Sequence, residues 1–230
     1  MNKLNDGFTA LGDWLRRSGW PLLALAALSI GLSALIQWNP EVQVVLRFEP
    51  LAIWGGAVWQ LVTGQLVHLG WSHLGLNLLG LLLVAVLFPG ISAKQWLALV
   101  VATLLLAGTI LLGLEMPFDW YVGLSGFLHG LLVAAAVYEG LSEDKSPHAE
   151  DAWIKVAVLF VVTLKVLWEH FAGPLPMTAE LAEGPVAIAG HQAGWVAGLI
   201  AGFIVAAVEG RRAGRPVGND LPGRHDEDNS

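Results

Sequence analysis

The chain has 230 residues, 55% of them hydrophobic and 13% charged, with a net charge of −7 and a mean hydropathy of +0.62. Soluble domains carry ~25% charged residues, so this composition excludes an ordinary water-soluble globule and points to a polytopic membrane protein. Cysteine is absent, which excludes a disulfide framework and a thiol mechanism.

The first apolar run, Pro21 to Trp38, is long and lacks a small-residue cleavage pattern, so it reads as a membrane span and not as a signal peptide. Beyond it, residues 50–93, 95–114, 120–138 and 184–208 contain no Asp, Glu, Lys or Arg. A helix of ~20 apolar residues crosses ~30 Å of hydrocarbon. Six spans are expected, over 19–36, 72–88, 94–113, 125–139, 152–171 and 190–208. Pro40, Pro50, Pro89, Pro117, Pro147, Pro174 and Pro185 fall between them, where breakers belong. The fold expected is an all-α six-helix membrane domain over 19–208, with cytoplasmic tails over 1–18 and 209–230.

Basic residues set the orientation. With both tails inside, the inner segments hold Lys3, Arg16, Arg17, Lys94, Lys145 and the four arginines after residue 209, whereas the outer loops hold only Arg47. Lys155 and Lys165 lie in the fifth span, and Lys155 is expected to snorkel to the inner surface. Trp14, Trp20, Trp96 and Trp153 fall near inner span ends, and Trp38, Trp71, Trp120 and Trp168 near outer ones, as an aromatic belt requires.

Polar residues inside spans carry a functional hypothesis by default. Here they are His68, His73, Asn77, Ser125, His129, Lys165, Glu169 and His191. Spans two, four and six run from outside to inside, so His73, Asn77, Ser125 and His191, all near span starts, share one layer near the outer surface. Gly190, Gly194, Gly198 and Gly202 form a four-residue ladder on span six; Gly126, Gly130 and Ala134 repeat the period on span four. Small-xxx-small faces allow close helix approach. Such a contact brings Ser125 to His191, with Ala201 expected off that face.

A serine hydroxyl needs a base, and a neutral imidazole is the usual one. An acyl-transfer site also needs donors for the oxyanion. The start of span four, with Leu124 and the Ser125 amide, offers backbone donors; His73 and Asn77, four residues apart, offer side-chain ones. No Asp or Glu is expected to orient His191, so the pair reads as a dyad. His68 reads as a structural tie between the outer loop and span two, and His129 as a packing or substrate contact. Lys165 and Glu169 read equally as an internal ion pair or as a polar feature at a substrate gate. His148 and His225 lie in polar segments and read as solvated.

Gly123-Leu124-Ser125-Gly126 resembles the GxSG motif of the rhomboid intramembrane serine proteases. His68, His73 and Asn77 resemble that family's HxxxxHxxxN segment, and His191, Gly194 and Gly198 its HxxGxxxG segment. The resemblance covers roughly residues 20–208. It implies a rhomboid-like six-helix bundle with Ser125 as nucleophile, His191 as base, and His73 and Asn77 at the oxyanion. Three positions depart from the family pattern: Trp59-Gln60 replaces its Trp-Arg pair, His129 stands where tyrosine is common, and Gly190 where alanine is usual. These features are similar to the rhombosortase branch, which implies cleavage of C-terminal Gly-Gly sorting tails of exported proteins, by hydrolysis or by transfer to an amine.

The expected partners are therefore a substrate transmembrane segment and the lipid bilayer, at a bacterial inner membrane with the site facing the periplasm. No cofactor, metal or nucleic acid is expected. A general rhomboid protease, a non-catalytic rhomboid-like chaperone and a histidine-lined transporter are the alternatives. Against the transporter stand the lack of an HExxH or carboxylate-rich metal set and of an inverted repeat.

Overall fold

The computed structural model describes residues 12–14, 17–116, 119–141, 152–176 and 187–213. Long helices α1 (Trp20–Trp38), α5 (Trp71–Leu87), α6 (Ala93–Leu112), α7 (Ser125–Leu141), α8 (Ala152–Ala172) and α9 (Ile188–Ala213) carry the fold. Between α1 and α5 lie three short ones, α2 (Pro40–Leu46), α3 (Pro50–Trp54) and α4 (Gln60–Leu66). No β-strand occurs among the described residues; one isolated bridge pairs Phe48 with Tyr121. His148 and His225 lie outside the described residues.

The first five long helices end within two residues of the expected spans. The sixth continues past residue 208 to Ala213. Glu209 lies within that helix, accepting from Tyr138 Oη at 2.6 Å and Gln95 Nε2 at 2.9 Å. Composition marks where hydrocarbon ends, and a helix with satisfied polar groups continues beyond it. Pro40 and Pro50 do more than break helices. Each opens a short helix at a first-turn position, where its missing N–H costs nothing. α6 starts on a capping box formed by Ser92 and Gln95.

α1, α6 and residues Ile188–Arg211 of α9 are each long and apolar enough to cross a membrane, and α4 with α5, bent by 98° at residues 67–70, makes a fourth candidate. α7 is shorter, at 17 residues, and α8 carries Lys155, Lys165 and Glu169. Large apolar side chains such as Leu79, Val86, Phe160 and Phe203 face outward. Outward apolar faces on helices that satisfy their own backbone suit lipid contact, and the protein is a multi-pass membrane protein.

Burial also corrects the aromatic belt. Trp20, Trp38, Trp71, Trp153 and Trp168 are exposed, but Trp96 is completely buried in the core with Leu99 and Phe88. Its place near a span end is shared with the belt residues, yet it points inward. Lys155 lies 3.6 Å from Glu139, the last acid before the α7–α8 connection.

α7 is the central helix, buried along almost its whole length and packed most closely on α9. The contact is backbone against backbone. A Cβ built on Gly126 would lie 2.5 Å from the Gly190 carbonyl oxygen, and one on Gly130 2.5 Å from that of Gly194. On the facing helix, Cβ atoms at Gly194 and Gly198 would run into the Gly126 and Gly130 carbonyls. The ladder therefore does what its spacing suggests. Ala201 does not lie off the packed region, because it is fully buried in the main core; α9 is enclosed on more than its glycine face. Gly194→Leu or Gly198→Leu is expected to separate α9 from α7, a larger loss than the ~1–3 kcal/mol of ordinary overpacking because the atoms met are backbone. Phe203→Leu, on the exposed side, is the control. Thermal unfolding in detergent measures the difference, and equal melting temperatures in all three variants would contradict the close contact.

Candidate active site

The segment before α7 is suspended from the α2–α4 region. Phe48 and Tyr121 exchange backbone hydrogen bonds at 2.9 and 2.8 Å, and the Gly123 amide donates to the Gly64 carbonyl at 3.0 Å. Tyr121 Oη donates to the Gly123 carbonyl. Gly123 has φ +123°, and a Cβ there would sit 2.6 Å from His73 Cε1. Glycine is thus required twice over, for its backbone conformation and for the imidazole pressed against it. This scaffold delivers Ser125 as the first residue of α7.

Ser125 Oγ lies 3.0 Å from His191 Nε2. On its other side, His191 Nδ1 lies 2.6 Å from Glu169 Oε2, and Glu169 Oε1 accepts from Lys165 Nζ at 2.6 Å. The Glu169 side chain is completely buried. With the carboxylate accepting at Nδ1, the imidazole hydrogen belongs on Nδ1, leaving Nε2 to accept from the serine hydroxyl. The expectation that no acid orients His191 is corrected here. The i,i+4 spacing of Lys165 and Glu169 accounts for both charges within one helix and hides the third partner. The ion-pair reading of these two residues is realised, and the same carboxylate also reaches His191.

A rhomboid-domain family model matches residues 55–208, two thirds of the chain. The chain belongs to the rhomboid family. No curated protein matches it. Membership supports an intramembrane-protease type of function at the level of the family.

In this rhomboid the three expected segments converge at one end of the bundle. His73 and Asn77 are buried on α5. Asn77 Nδ2 is buried without a hydrogen-bond partner among the described residues, a state that costs ~1–3 kcal/mol and that Ser29 Oγ, Trp96 Nε1 and Thr103 Oγ1 share. The Leu124 amide, expected as an oxyanion donor, is directed elsewhere. It lies 3.4 Å from His68 Nε2, whose Nδ1 reaches Ser33 Oγ at 3.1 Å. His68 thereby joins α1 to the serine loop across the bend between α4 and α5, and its ring meets His73 edge-on at 4.9 Å. The tie expected is between the outer loop and span two; the contacts made run to α1 and the serine loop.

His129, one turn after the serine, stacks on His191 with centroids 4.2 Å apart and planes 23° from parallel, while its Nδ1 donates to the Ser125 carbonyl at 2.6 Å. It braces the His191 ring, which fits the packing expectation. Gln60, in place of the family's arginine, is buried; it accepts from the Glu49 amide at 3.2 Å and donates to the Val44 and Val45 carbonyls. The role of a loop anchor is filled by an uncharged amide.

His129, Glu169 and His191 bring one donor atom each within 4.8 Å of one another. The Lys165 ammonium already lies against that carboxylate and 3.5 Å from His191 Nδ1, supplying the positive charge a divalent ion would bring. Phe48, Gly64, Tyr121 and Ser33, which hold the serine loop, carry no sequence signal of that task, since each acts through backbone or a single local contact. Glu169 does carry one. α8 ends in the same layer where His191 begins α9.

Proposed function

We propose that this rhomboid is an intramembrane serine endopeptidase with Ser125 as nucleophile and His191 as general base. The observation that carries the reading is the 3.0 Å approach of Ser125 Oγ to His191 Nε2. As Oγ bonds to the scissile carbonyl carbon, its proton passes to Nε2. The developing oxyanion is received by the amides at the start of α7, with Asn77 Nδ2 and His73 as side-chain donors. His191 then gives its proton to the leaving amine. The acyl-enzyme is released by water, or by an amine acceptor in the transfer variant.

The substrate is a single transmembrane segment cut near the outer face, of the Gly-Gly sorting-tail class. Basic-residue bias supports the outward placement of the site, at a bacterial inner membrane. An apolar cavity of about 280 Å³ between α5 and α8, lined by Leu83, Leu87, Trp153 and Val161 at the end remote from Ser125, supports lateral contact with the part of an apolar segment away from the cut. Rhombosortase-type specificity rests on His129, Gly190 and Gln60 in place of the common family residues.

The test is covalent labelling of the purified protein with a fluorophosphonate. Ser125 is expected to carry the adduct and no other serine to do so. Absence of a Ser125 adduct in folded protein overturns the reading.

A further inference from the structure

Glu169 lies outside the Ser-His pair on which the proposed function rests. Its carboxylate has no access to solvent, and burial of an uncompensated charge is very costly. Both oxygens are satisfied, one by each partner: Lys165 Nζ at Oε1 and His191 Nδ1 at Oε2, each at 2.6 Å. A carboxylate serving only as an internal ion-pair partner on α8 needs Lys165 alone. This one is turned into the bundle and holds the edge of the imidazole remote from Ser125.

The helix that brings it is thinly attached. Of the described side chains of α8 only Val162, Val166 and Glu169 are buried, and at spacings of four and three they form a single docking stripe. The polar ties to α9 run along the same side: Trp195 Nε1 donates to Thr163 Oγ1 at 3.0 Å, and Gln192 Nε2 lies 2.8 Å from His170 Nδ1. Docking of α8 therefore carries the acid to His191.

We propose that Glu169 is a positioning residue that turns the Ser125–His191 pair into a Ser-His-Glu triad, with Lys165 keeping the carboxylate ionised and in place. The inference rests on the proposed protease reading. Glu169 holds the hydrogen of His191 on Nδ1 and stabilises the imidazolium formed when Ser125 Oγ loses its proton. The Glu169 carboxylate itself takes no proton. Neutralising the acid in a Ser-His-acid triad costs ~10⁴ in turnover.

Fluorophosphonate labelling of the full-length protein in detergent, resolved into KI and kinact, tests this. Glu169→Gln is expected to lower kinact by roughly 10²-fold or more with KI unchanged within about twofold. Lys165→Met, which keeps the carboxylate but strands its charge, lowers kinact by about tenfold, since a stranded buried carboxylate neutralises. Phe160→Ala, on the exposed face of α8 and outside the docking stripe, leaves kinact within about threefold. A kinact for Glu169→Gln within about threefold of wild type overturns the proposal, as does an equal fall in Phe160→Ala. Should Glu169→Gln fail to fold, Lys165→Met decides by the same criterion. Wild-type protein that takes no label at Ser125 sinks the protease reading itself, whereas normal wild-type labelling with an unaffected Glu169→Gln sinks only the triad.

Discussion

Ser125→Ala and His191→Ala are each expected to abolish cleavage in folded protein, and the double variant to be no slower than either single one. In the proposed mechanism the two side chains take part in one proton transfer across the 3.0 Å between Oγ and Nε2, so once one is gone the other has nothing to act on. In Ser-His sites either loss costs ~10⁶ in kcat, and the combination costs little more. A residual rate of ~10³ over water remains where oxyanion donors survive, and here Asn77 and the α7 amides would survive both changes. Neither side chain carries the fold. The α7–α9 contact is made by the glycines beside them, so helicity and melting temperature should stay near wild type. Turnover of a single-span substrate in detergent measures the effect. Turnover by Ser125→Ala within tenfold of wild type would end the serine mechanism.

What was legible in the sequence follows from what each signal physically measures. Charge-poor stretches report the cost of burying charge in hydrocarbon, and the spans read from them and from the breakers between them end within two residues of the long helices at most ends. The glycine ladder reports a steric limit, and the carbonyl contacts of Gly126 and Gly130 bear it out. The three short helices of residues 40–66 have no comparable mark, because they are neither long nor periodic; two start on prolines that read only as breakers. Rotation about a helix axis is also poorly encoded when every face is apolar. Trp96 reads as an interfacial anchor and Ala201 as lying off the glycine face, yet both are fully buried. Glu169 is the same problem in the site. Its depth is evident from the end of the fifth span, but its direction, toward His191 or away, depends on that rotation. The backbone ties at Gly64 and Phe48 lie beyond any side-chain pattern, since what they supply is a carbonyl and an amide.

Replacing a Gly-Gly pair by Leu-Leu at the outer end of a substrate helix is expected to block processing altogether. A helical substrate hides its carbonyls in i to i−4 hydrogen bonds, so the scissile segment has to unwind before Ser125 Oγ can reach a carbonyl carbon. Glycine lowers helix stability by ~1 kcal/mol per residue relative to alanine, so two of them make a natural point of fraying. The site adds a steric reason. Gly123 is pressed against His73 and Gly126 against the Gly190 carbonyl, so the backbone around Ser125 is already crowded, and a chain without side chains approaches it most closely. His129 stacked on His191 fills part of the same layer. Leucine at both positions restores helix propensity and adds bulk, opposing both requirements together. The measurement is the C-terminal sequence of exported proteins from wild-type and Ser125→Ala cells. Gly-Gly tails trimmed only in the wild type, and retained when Leu-Leu replaces Gly-Gly, would support the sorting role. Identical C-termini in the two strains would end it, leaving a protease that acts on other single-span proteins.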